Sequence, residues 1–239
     1  MPALLFYMIL IVFLVVHVLY INKYFNEKRE ALLILSSMII FFILLSRGLI
    51  RDNLAFLDDF IYKLISPIIS ERLTSLMVFI THLGSAPVLI AVSVISFFIL
   101  RKSKTHAHYG YMIAFNLVST YGLNLLLKYI FKRERPDIMR LIDIEGLSFP
   151  SGHSMVSISF YGLLLYLLYM NIKTTAYRVL TTTVISILIV LVGFSRIYLG
   201  VHYATDVFAG FAVGSAWLIM LIIFTNNYFD SAYKFRKNN

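Results

Sequence analysis

The sequence predicts an all-α protein, a polytopic bundle of transmembrane helices. Of its 239 residues, 60% are hydrophobic and only 14% are charged, and the mean hydropathy is +0.84. This composition is too apolar for a soluble domain. The apolar residues also gather in runs close to the roughly 20 residues that a helix needs to cross a bilayer core of about 30 Å. The chain is therefore predicted to be an integral membrane protein.

Apolar runs that lack Lys, Arg, Asp and Glu give seven candidate spans. They are residues 3–21, 31–46, 74–100, 109–127, 154–172, 179–194 and 204–225. The third is the longest and contains Pro87, and a proline can kink a spanning helix. We expect seven spans, with six as the alternative.

The distribution of charge predicts how the bundle is oriented. The first charged residue is Lys23, which follows the first apolar run instead of preceding it. We expect that run to remain as a helix with its N-terminus outside the cell. The inner segments then carry 11 of the 21 Lys and Arg residues, and setting aside Lys128, Arg135 and Arg196, which have a proposed role in a site, leaves a modest bias of 11 to 7. Residues 226–239 are expected to form a cytoplasmic tail.

The net charge of +9 is spread over short loops between the spans and forms no contiguous basic patch with interleaved aromatics. We expect binding to anionic lipid headgroups and no nucleic-acid partner. The chain has no cysteine, which excludes disulfides, thiolate metal sites and cysteine nucleophiles.

Residues 51–73 differ from the spans because their apolar residues recur at helical spacing between charged ones. Asp58, Asp59 and Lys63 occupy positions other than the apolar stripe. This pattern predicts a helix that lies along the membrane interface until Pro67 interrupts it. A connecting loop with an apolar underside is the alternative.

Three short polar islands lie at the ends of predicted spans. The first, 128–136, closes the fourth span, the second, 150–153, opens the fifth, and the third, 195–206, lies between the sixth and seventh. Counting the crossings places all three islands on one face of the membrane. His106 and His108 fall on the opposite face and are poor candidates for an active site.

The first island supplies Lys128 and Arg135, which are seven residues apart and would share one face of a continuous helix. The Arg135-Pro136 pair predicts the helix exit, since a residue before proline is pushed out of the α region. Cations that reach from a helix end to the headgroups are the alternative.

The second island, Pro150-Ser151-Gly152-His153, comes directly before an apolar run. Ser151 is the predicted N-cap, and the amides that follow it would form an anion site at a helix N-terminus. Ordinary capping beside an interfacial histidine is the alternative.

The third island places His202 and Asp206 four residues apart, so that they face each other at the start of a helix. Asp206 can then accept a hydrogen bond from one imidazole nitrogen and leave the other free to attack an electrophile. A polar pair that caps the helix is the alternative. Together the islands hold the cations, histidines and backbone amides that could bind and cleave a phosphate ester.

The three islands resemble the signature of the type 2 phosphatidic acid phosphatase superfamily, K-x6-R-P, P-S-G-H and S-R-x5-H-x3-D, at every fixed position. The stretch 57–85 is also similar to the upstream region of bacterial members. The resemblance implies a six-helix core with an extra N-terminal helix, divided into helices in 1–50, a phosphatase domain in 51–225 and the tail.

The resemblance also implies a role for each matched residue. His202 would be the nucleophile that forms a phosphohistidine, Asp206 would orient it, and His153 would be the general acid and then the base. The expected phosphate-binding residues are Lys128, Arg135, Ser151, Gly152 and Arg196. No metal and no cofactor are needed, because the cations and amides neutralise the phosphoryl charge.

The implied substrate is a membrane lipid that carries a phosphate or pyrophosphate. A site on the extracytoplasmic face favours undecaprenyl pyrophosphate, as in family members that recycle this envelope carrier. Phosphatidylglycerophosphate and phosphatidic acid are the alternatives within the family. A membrane protein that binds phosphate or lipid without hydrolysing it is the alternative outside the enzymes.

Overall fold

The structure is a computed structural model that describes residues 28–51, 53–101, 107–137 and 140–238. In these ranges the chain forms helices and loops and no strands, which confirms the predicted all-α bundle. The helices are α1 (Lys28–Ile50), α2 (Ala55–Ile65), α3 (Glu71–Leu83), α4 (Ala86–Arg101), α5 (Ala107–Phe131), α6 (Gly152–Asn171), α7 (Thr175–Tyr198) and α8 (Ala204–Asn238). The first predicted span, 3–21, lies outside the described residues.

Five of the described helices, α1, α5, α6, α7 and α8, are long and apolar enough to cross a membrane. The bent pair α3 and α4 would make a sixth span. Seven spans are therefore not established for the described part of the chain. The stretch of α8 that could lie in the membrane ends at Asn226, and the predicted tail continues the same helix.

The third predicted span is two helices instead of one kinked helix. α3 and α4 bend by 45° at a break that precedes Pro87, and α4 begins at Ala86. Proline is tolerated in the first turn of a helix, so Pro87, the second residue of α4, does not interrupt it. A Cβ atom added to Gly84 at the break would lie 2.5 Å from Val192 and 2.8 Å from Ser157. The break therefore packs tightly against α6 and α7.

In residues 51–73 the chain forms α2, followed by the short 3₁₀ helix Ser66–Ile68, which agrees with the predicted helix and with its interruption at Pro67, whereas its position at the membrane interface stays a prediction. One part of that expectation is wrong: Asp58 is not on the polar face. Its side chain is buried with those of Ile61 and Ile65, three and seven residues further on, which is one face of a helix. Burial of a carboxylate requires charged or hydrogen-bonding partners.

The centre of the bundle is the pair α6 and α8. In the membrane-length stretches of these helices 61% and 67% of residues are buried, compared with 17% in the peripheral α1. Gly210 on α8 lies so close to α6 that an added Cβ atom would be 2.6 Å from the carbonyl oxygen of Ser151. Small residues allow two membrane helices this close approach. The approach brings the start of α8 beside the start of α6, where the backbone N–H of Ser151 donates to the carbonyl of Asp206 at 2.9 Å.

Candidate active site

The first polar island reaches the site from a helix and from the loop that follows it. α5 ends at Phe131, so the predicted helix exit at Arg135 is four residues too late. Lys132 adopts a φ of 48°, a left-handed conformation that ends the helix. Lys128 in the last turn donates to the carbonyl of Leu147, and Arg135 in the loop donates to the carbonyl of Val201 at 2.8 Å.

The second island forms the N-terminus of α6. The Ser151 hydroxyl oxygen accepts from the backbone N–H of Ser154 at 3.4 Å, which confirms the predicted N-cap. A Cβ atom on Gly152 would lie 2.9 Å from the Oδ1 atom of Asn124, so the backbone here has no room for a side chain. His153 follows in the first turn of α6, beside Gly84 at the α3–α4 break.

The third island begins at the end of α7, where the chain turns back toward the bundle. Gly200 has a φ of 69°, which favours glycine, and the turn brings the backbone N–H of His202 to the carbonyl of Arg196 at 3.2 Å. The Arg196 side chain is 1% exposed and donates to the hydroxyl of Thr81 at 2.7 Å. Its Nε atom has no hydrogen-bond partner among the described residues, so a buried donor is left for an anion.

His202 lies between Asp206 and Arg135. Its Nδ1 atom is 3.3 Å from Oδ2 of Asp206, and its Nε2 atom is 3.1 Å from Nη1 of Arg135. A guanidinium can only donate, so Nε2 accepts and the proton of the neutral ring is on Nδ1, toward Asp206. Burial, together with the charges of Arg196, Arg135 and Lys128, lowers the pKa of His202 well below its usual range. The imidazole is therefore neutral, with its lone pair on Nε2.

The positive charges around His202 come from Lys128, Arg135 and Arg196. Within the described ranges, no ion pair involves any of the three. Burial lowers the pKa of Arg135, and Asp206 opposes that shift. We call these three residues the cation cluster. The structure thus brings together the residues that the sequence suggested, and their arrangement suits an anionic ligand.

Three residues at the site were missed in the sequence: Arg133, Asp58 and Ser148. Arg133 donates to Oδ1 of Asp206 at 2.6 Å and to Oδ2 of Asp58 at 2.7 Å. The Ser148 hydroxyl makes a short hydrogen bond to Oδ2 of Asp206. Asp58 could have been found from its spacing to Ile61 and Ile65 on the buried face of α2. No pattern distinguishes Arg133 from its basic neighbours or marks Ser148.

His108 lies at the beginning of α5, at the opposite end of that helix from Lys128, as expected, and His106 is outside the described residues. In the part of the chain that the structure describes, no group of three His, Cys, Asp or Glu side chains could hold a metal ion.

Known proteins share both the sequence and the fold of this chain. Residues 106–230 match the family model of the PAP2 superfamily. Phosphatidylglycerophosphatase B of Bacillus subtilis is 32% identical over 202 residues, which cover 83% of this chain and 95% of that protein. Undecaprenyl-diphosphatase of Sulfolobus acidocaldarius is 28% identical over 175 residues, which cover 68% and 75%.

Solved structures agree with these matches. The crystal structure of a transmembrane PAP2-type phosphatidylglycerolphosphate phosphatase from Bacillus subtilis has a TM-score of 0.76 and 29% identity, covering 81% of this chain and 96% of that one. LpxE of Aquifex aeolicus, at a TM-score of 0.55 and 24% identity over 68% and 92% of the two chains, shares the fold. The chain belongs to the PAP2 superfamily and is a multi-pass membrane lipid phosphatase.

Proposed function

We propose that the enzyme hydrolyses the terminal phosphate of a membrane lipid through a phosphohistidine on His202. One observation carries the proposal. A buried, neutral imidazole has its Nε2 lone pair directed into a cluster of three cations that form no ion pairs among the described residues. A nucleophile surrounded by cations that have no ion-pair partner among the described residues suits attack on a phosphorus atom, because the attacked group is an anion.

The cation cluster binds the phosphoryl oxygens in this proposal. The Ser151 hydroxyl and the Gly152 N–H, at the N-terminus of α6, add neutral donors and the positive end of the helix dipole. Arg135 donates to Nε2 of His202, so it must transfer this hydrogen bond to a phosphoryl oxygen before attack. Binding of the phosphate thereby uncovers the nucleophile.

The reaction proceeds in two steps. Nε2 of His202 forms a bond to phosphorus while the bond from phosphorus to the leaving oxygen breaks, and His153, as the imidazolium once the anionic phosphate is bound, gives that oxygen a proton. A water molecule then attacks phosphorus, His153 takes a proton from it, and the bond from Nε2 to phosphorus breaks to release inorganic phosphate. Asp206 holds the Nδ1 proton and balances the positive charge that the imidazole gains in the first step and loses in the second.

The mechanism uses no metal, so activity is expected to persist in excess EDTA. The measurement is phosphate release by purified enzyme before and after dialysis against the chelator. A strict requirement for added Mg²⁺ or another divalent ion would contradict the proposal.

Two substrates have support from the relatives. The protein from Bacillus subtilis that matches over 95% of its length is named for phosphatidylglycerophosphate, and the archaeal relative is named for undecaprenyl diphosphate. We propose both as substrates of this enzyme. The preference for undecaprenyl pyrophosphate, expected from the sequence, stays a prediction. Family membership favours an enzyme over a protein that only binds lipid.

Side-by-side turnover of undecaprenyl pyrophosphate, phosphatidylglycerophosphate and phosphatidic acid in detergent and EDTA tests the proposal. We expect phosphate release from both of the first two lipids and none from a His202→Ala variant. His108→Ala, which removes a histidine at the opposite end of α5, is the matched control and should retain full activity. Release by His202→Ala at the wild-type rate would overturn the proposed nucleophile.

We also propose that the site faces the extracytoplasmic side. The chain has no cysteine, so single cysteines can be introduced as reporters without a background signal. Asp137, in the loop after α5, has a fully exposed side chain, and Lys173 lies between α6 and α7 at the other end of the bundle. A membrane-impermeant maleimide should label Asp137→Cys in intact cells and Lys173→Cys only after lysis. The reverse pattern would contradict this orientation.

A further inference from the structure

We infer that Arg133 and Asp58 are positioning residues for the reaction, forming a buried charge bridge that connects the interfacial helix α2 to Asp206 and so fixes the partner of the nucleophile. The inference rests on the proposed function, because it assigns Asp206 the role of orienting His202. Neither residue is a fixed position of the signature K-x6-R-P, P-S-G-H and S-R-x5-H-x3-D.

The bridge is continuous and almost fully buried. Nη2 of Arg133 lies 2.7 Å from Oδ2 of Asp58, and Nη1 lies 2.6 Å from Oδ1 of Asp206. The side chains of Asp58 and Asp206 are 1% and 0% exposed, and that of Arg133 is 14% exposed. Hydrogen bonds of this kind, between a guanidinium and two carboxylates, are short and strongly directional.

Thr205 and Tyr203 make further contacts with Asp58 and Arg133 in the bridge. The backbone N–H of Thr205 donates to Oδ1 of Asp58 at 2.9 Å, and the hydroxyl of Thr205 donates to Oδ2 of Asp58 at 2.8 Å. Nη1 of Arg133 also donates to this hydroxyl at 2.7 Å, and the guanidinium lies 3.9 Å from the ring centre of Tyr203. Thr205 directly precedes Asp206, so α2 is attached to the chain segment that carries the nucleophile and its partner.

The two oxygens of Asp206 have separate partners. Oδ2 accepts from Ser148, from the backbone N–H of Tyr203 and from Nδ1 of His202, whereas Oδ1 accepts from Arg133. A carboxylate held at one oxygen only can rotate about its bond to the carbon chain. Arg133 holds the opposite oxygen and thereby keeps Oδ2 directed at His202. Burial disfavours the charge of Arg133, but Asp206 and Asp58 together raise its pKa, so the bridge contains a permanent cation.

Asp58 explains why Arg133 stays with Asp206 instead of joining the cation cluster. Arg135 is two residues away on the same loop and contacts His202, not a carboxylate. With Asp58 on its other side, Arg133 has two fixed anions to pair with and is unavailable to a phosphate. α2 is therefore a structural part of the active site, which gives the interfacial segment a function.

Four variants test the bridge: Arg133→Gln, Arg133→Lys, Asp58→Asn and the double variant Asp58→Asn with Arg133→Gln. Arg133→Gln leaves two buried carboxylates without their shared cation, which is strongly unfavourable, and should displace Asp206. We expect kcat to fall roughly 10²-fold, the effect of misplacing a catalytic group by about 1 Å, with KM and competitive inhibition by inorganic phosphate nearly unchanged. Arg133→Lys should retain part of the lost kcat, because it keeps the charge.

The double variant gives the sharpest test. Removing the negative charge of Asp58 from Arg133→Gln leaves Asp206 without a buried carboxylate neighbour, so kcat should rise above that of Arg133→Gln alone. Asp58→Asn alone should lose less kcat than Arg133→Gln, since Arg133 still holds Asp206. Lys132→Gln removes the same charge from the neighbouring residue, whose ammonium lies 5.1 Å from the ring centre of Tyr129, and is the matched control with unchanged kcat.

Several outcomes would overturn the inference. A raised KM with unchanged kcat in Arg133→Gln would make Arg133 a substrate-binding cation. A lower melting temperature of Arg133→Gln with a normal kcat would show that the bridge only stabilises the fold. A kcat of the double variant no higher than that of Arg133→Gln would exclude the charge coupling. An active wild type with an unaffected Arg133→Gln overturns this inference alone, whereas a wild type inactive on every lipid overturns the proposed function and this inference with it.

Discussion

Arg133 and Arg135 lie two residues apart on one loop, yet they enter opposite electrostatic environments. Arg133 is paired with two buried carboxylates and stacks on Tyr203. Arg135 donates to the carbonyl of Val201 and to Nε2 of His202, and it is in no ion pair within the described ranges. The same side chain therefore has two uses: in the bridge it is neutralised and positions a group, and in the cation cluster it keeps its charge for a ligand.

The difference shows that the number of basic residues does not indicate the strength of a phosphate site. An arginine whose charge is already compensated cannot gain much from a phosphate, whereas a desolvated and uncompensated one gains a great deal. Loss of the bridge is therefore expected to lower kcat. Loss of a residue of the cation cluster is expected to weaken substrate binding and to destabilise the charge of the transition state.

The largest expected effect is loss of the proposed nucleophile, which the bridge and the cation cluster would both serve. His202→Ala should reduce turnover by roughly 10⁴-fold or more while the protein remains monodisperse in detergent, since the proposed covalent intermediate forms on this side chain. Phosphate release at saturating lipid measures it. Residual activity within about tenfold of wild type would mean that bridge and cluster serve another nucleophile.

The next largest effect separates the two regions. Arg135→Gln should lower kcat/KM roughly 10²- to 10³-fold and weaken inhibition by vanadate, a phosphate mimic, because it removes an uncompensated donor from the phosphoryl oxygens. Steady-state kinetics with vanadate as the inhibitor measures both quantities. Unchanged vanadate inhibition in Arg135→Gln, together with lost inhibition in Arg133→Gln, would reverse our assignment of the two arginines.

A smaller effect is expected at Ser148, which donates to the oxygen of Asp206 that faces His202. Ser148→Ala removes one of several donors to that oxygen, so kcat should fall about tenfold, the usual worth of a hydrogen bond to a charged group. The readout is kcat with KM measured in parallel. A rise in KM alone would place Ser148 in the binding region.

The smallest effect is on stability as a function of pH. The pKa of His202 in the folded protein lies well below the value of about 6.5 in an unfolded chain. Between these two values only the unfolded chain binds the proton, so this contribution to stability is present above about pH 6.5 and is lost as the pH falls. The melting temperature of wild type should therefore decrease more between pH 7.5 and 5 than that of His202→Gln. Equal decreases would show that His202 is not desolvated among the cations.

Much of the fold could be predicted from the sequence because membrane helices are defined by local composition. The predicted runs 109–127 and 179–194 lie within α5 and α7, and the run 154–172 ends one residue beyond α6. The errors occur where a tertiary contact or a single backbone conformation determines the point at which a helix ends. The break at Gly84 depends on its packing against Val192, and the end of α5 depends on the conformation of Lys132 and not on the proline that follows.

The site could be predicted in part for a similar reason. His202 and Asp206 are four residues apart, and local spacing brings them together. Asp58 and Arg133 are 75 residues apart. The spacing of Asp58 to Ile61 and Ile65 marks the face of α2 on which it lies, but nothing in the sequence indicates which cation it pairs with. Long-range charge pairing is a property of the packed bundle, so single-sequence patterns cannot reveal it.

Detection of the covalent intermediate tests the central claim most directly. The wild-type enzyme would be mixed with lipid substrate carrying ³²P in its terminal phosphate and quenched in alkali at a series of times after mixing, and the labelled peptide would then be identified. We expect alkali-stable, acid-labile label on the peptide that contains His202, and none in His202→Ala. Label on any other residue, or turnover by wild type without labelled enzyme at any time after mixing, would contradict the account.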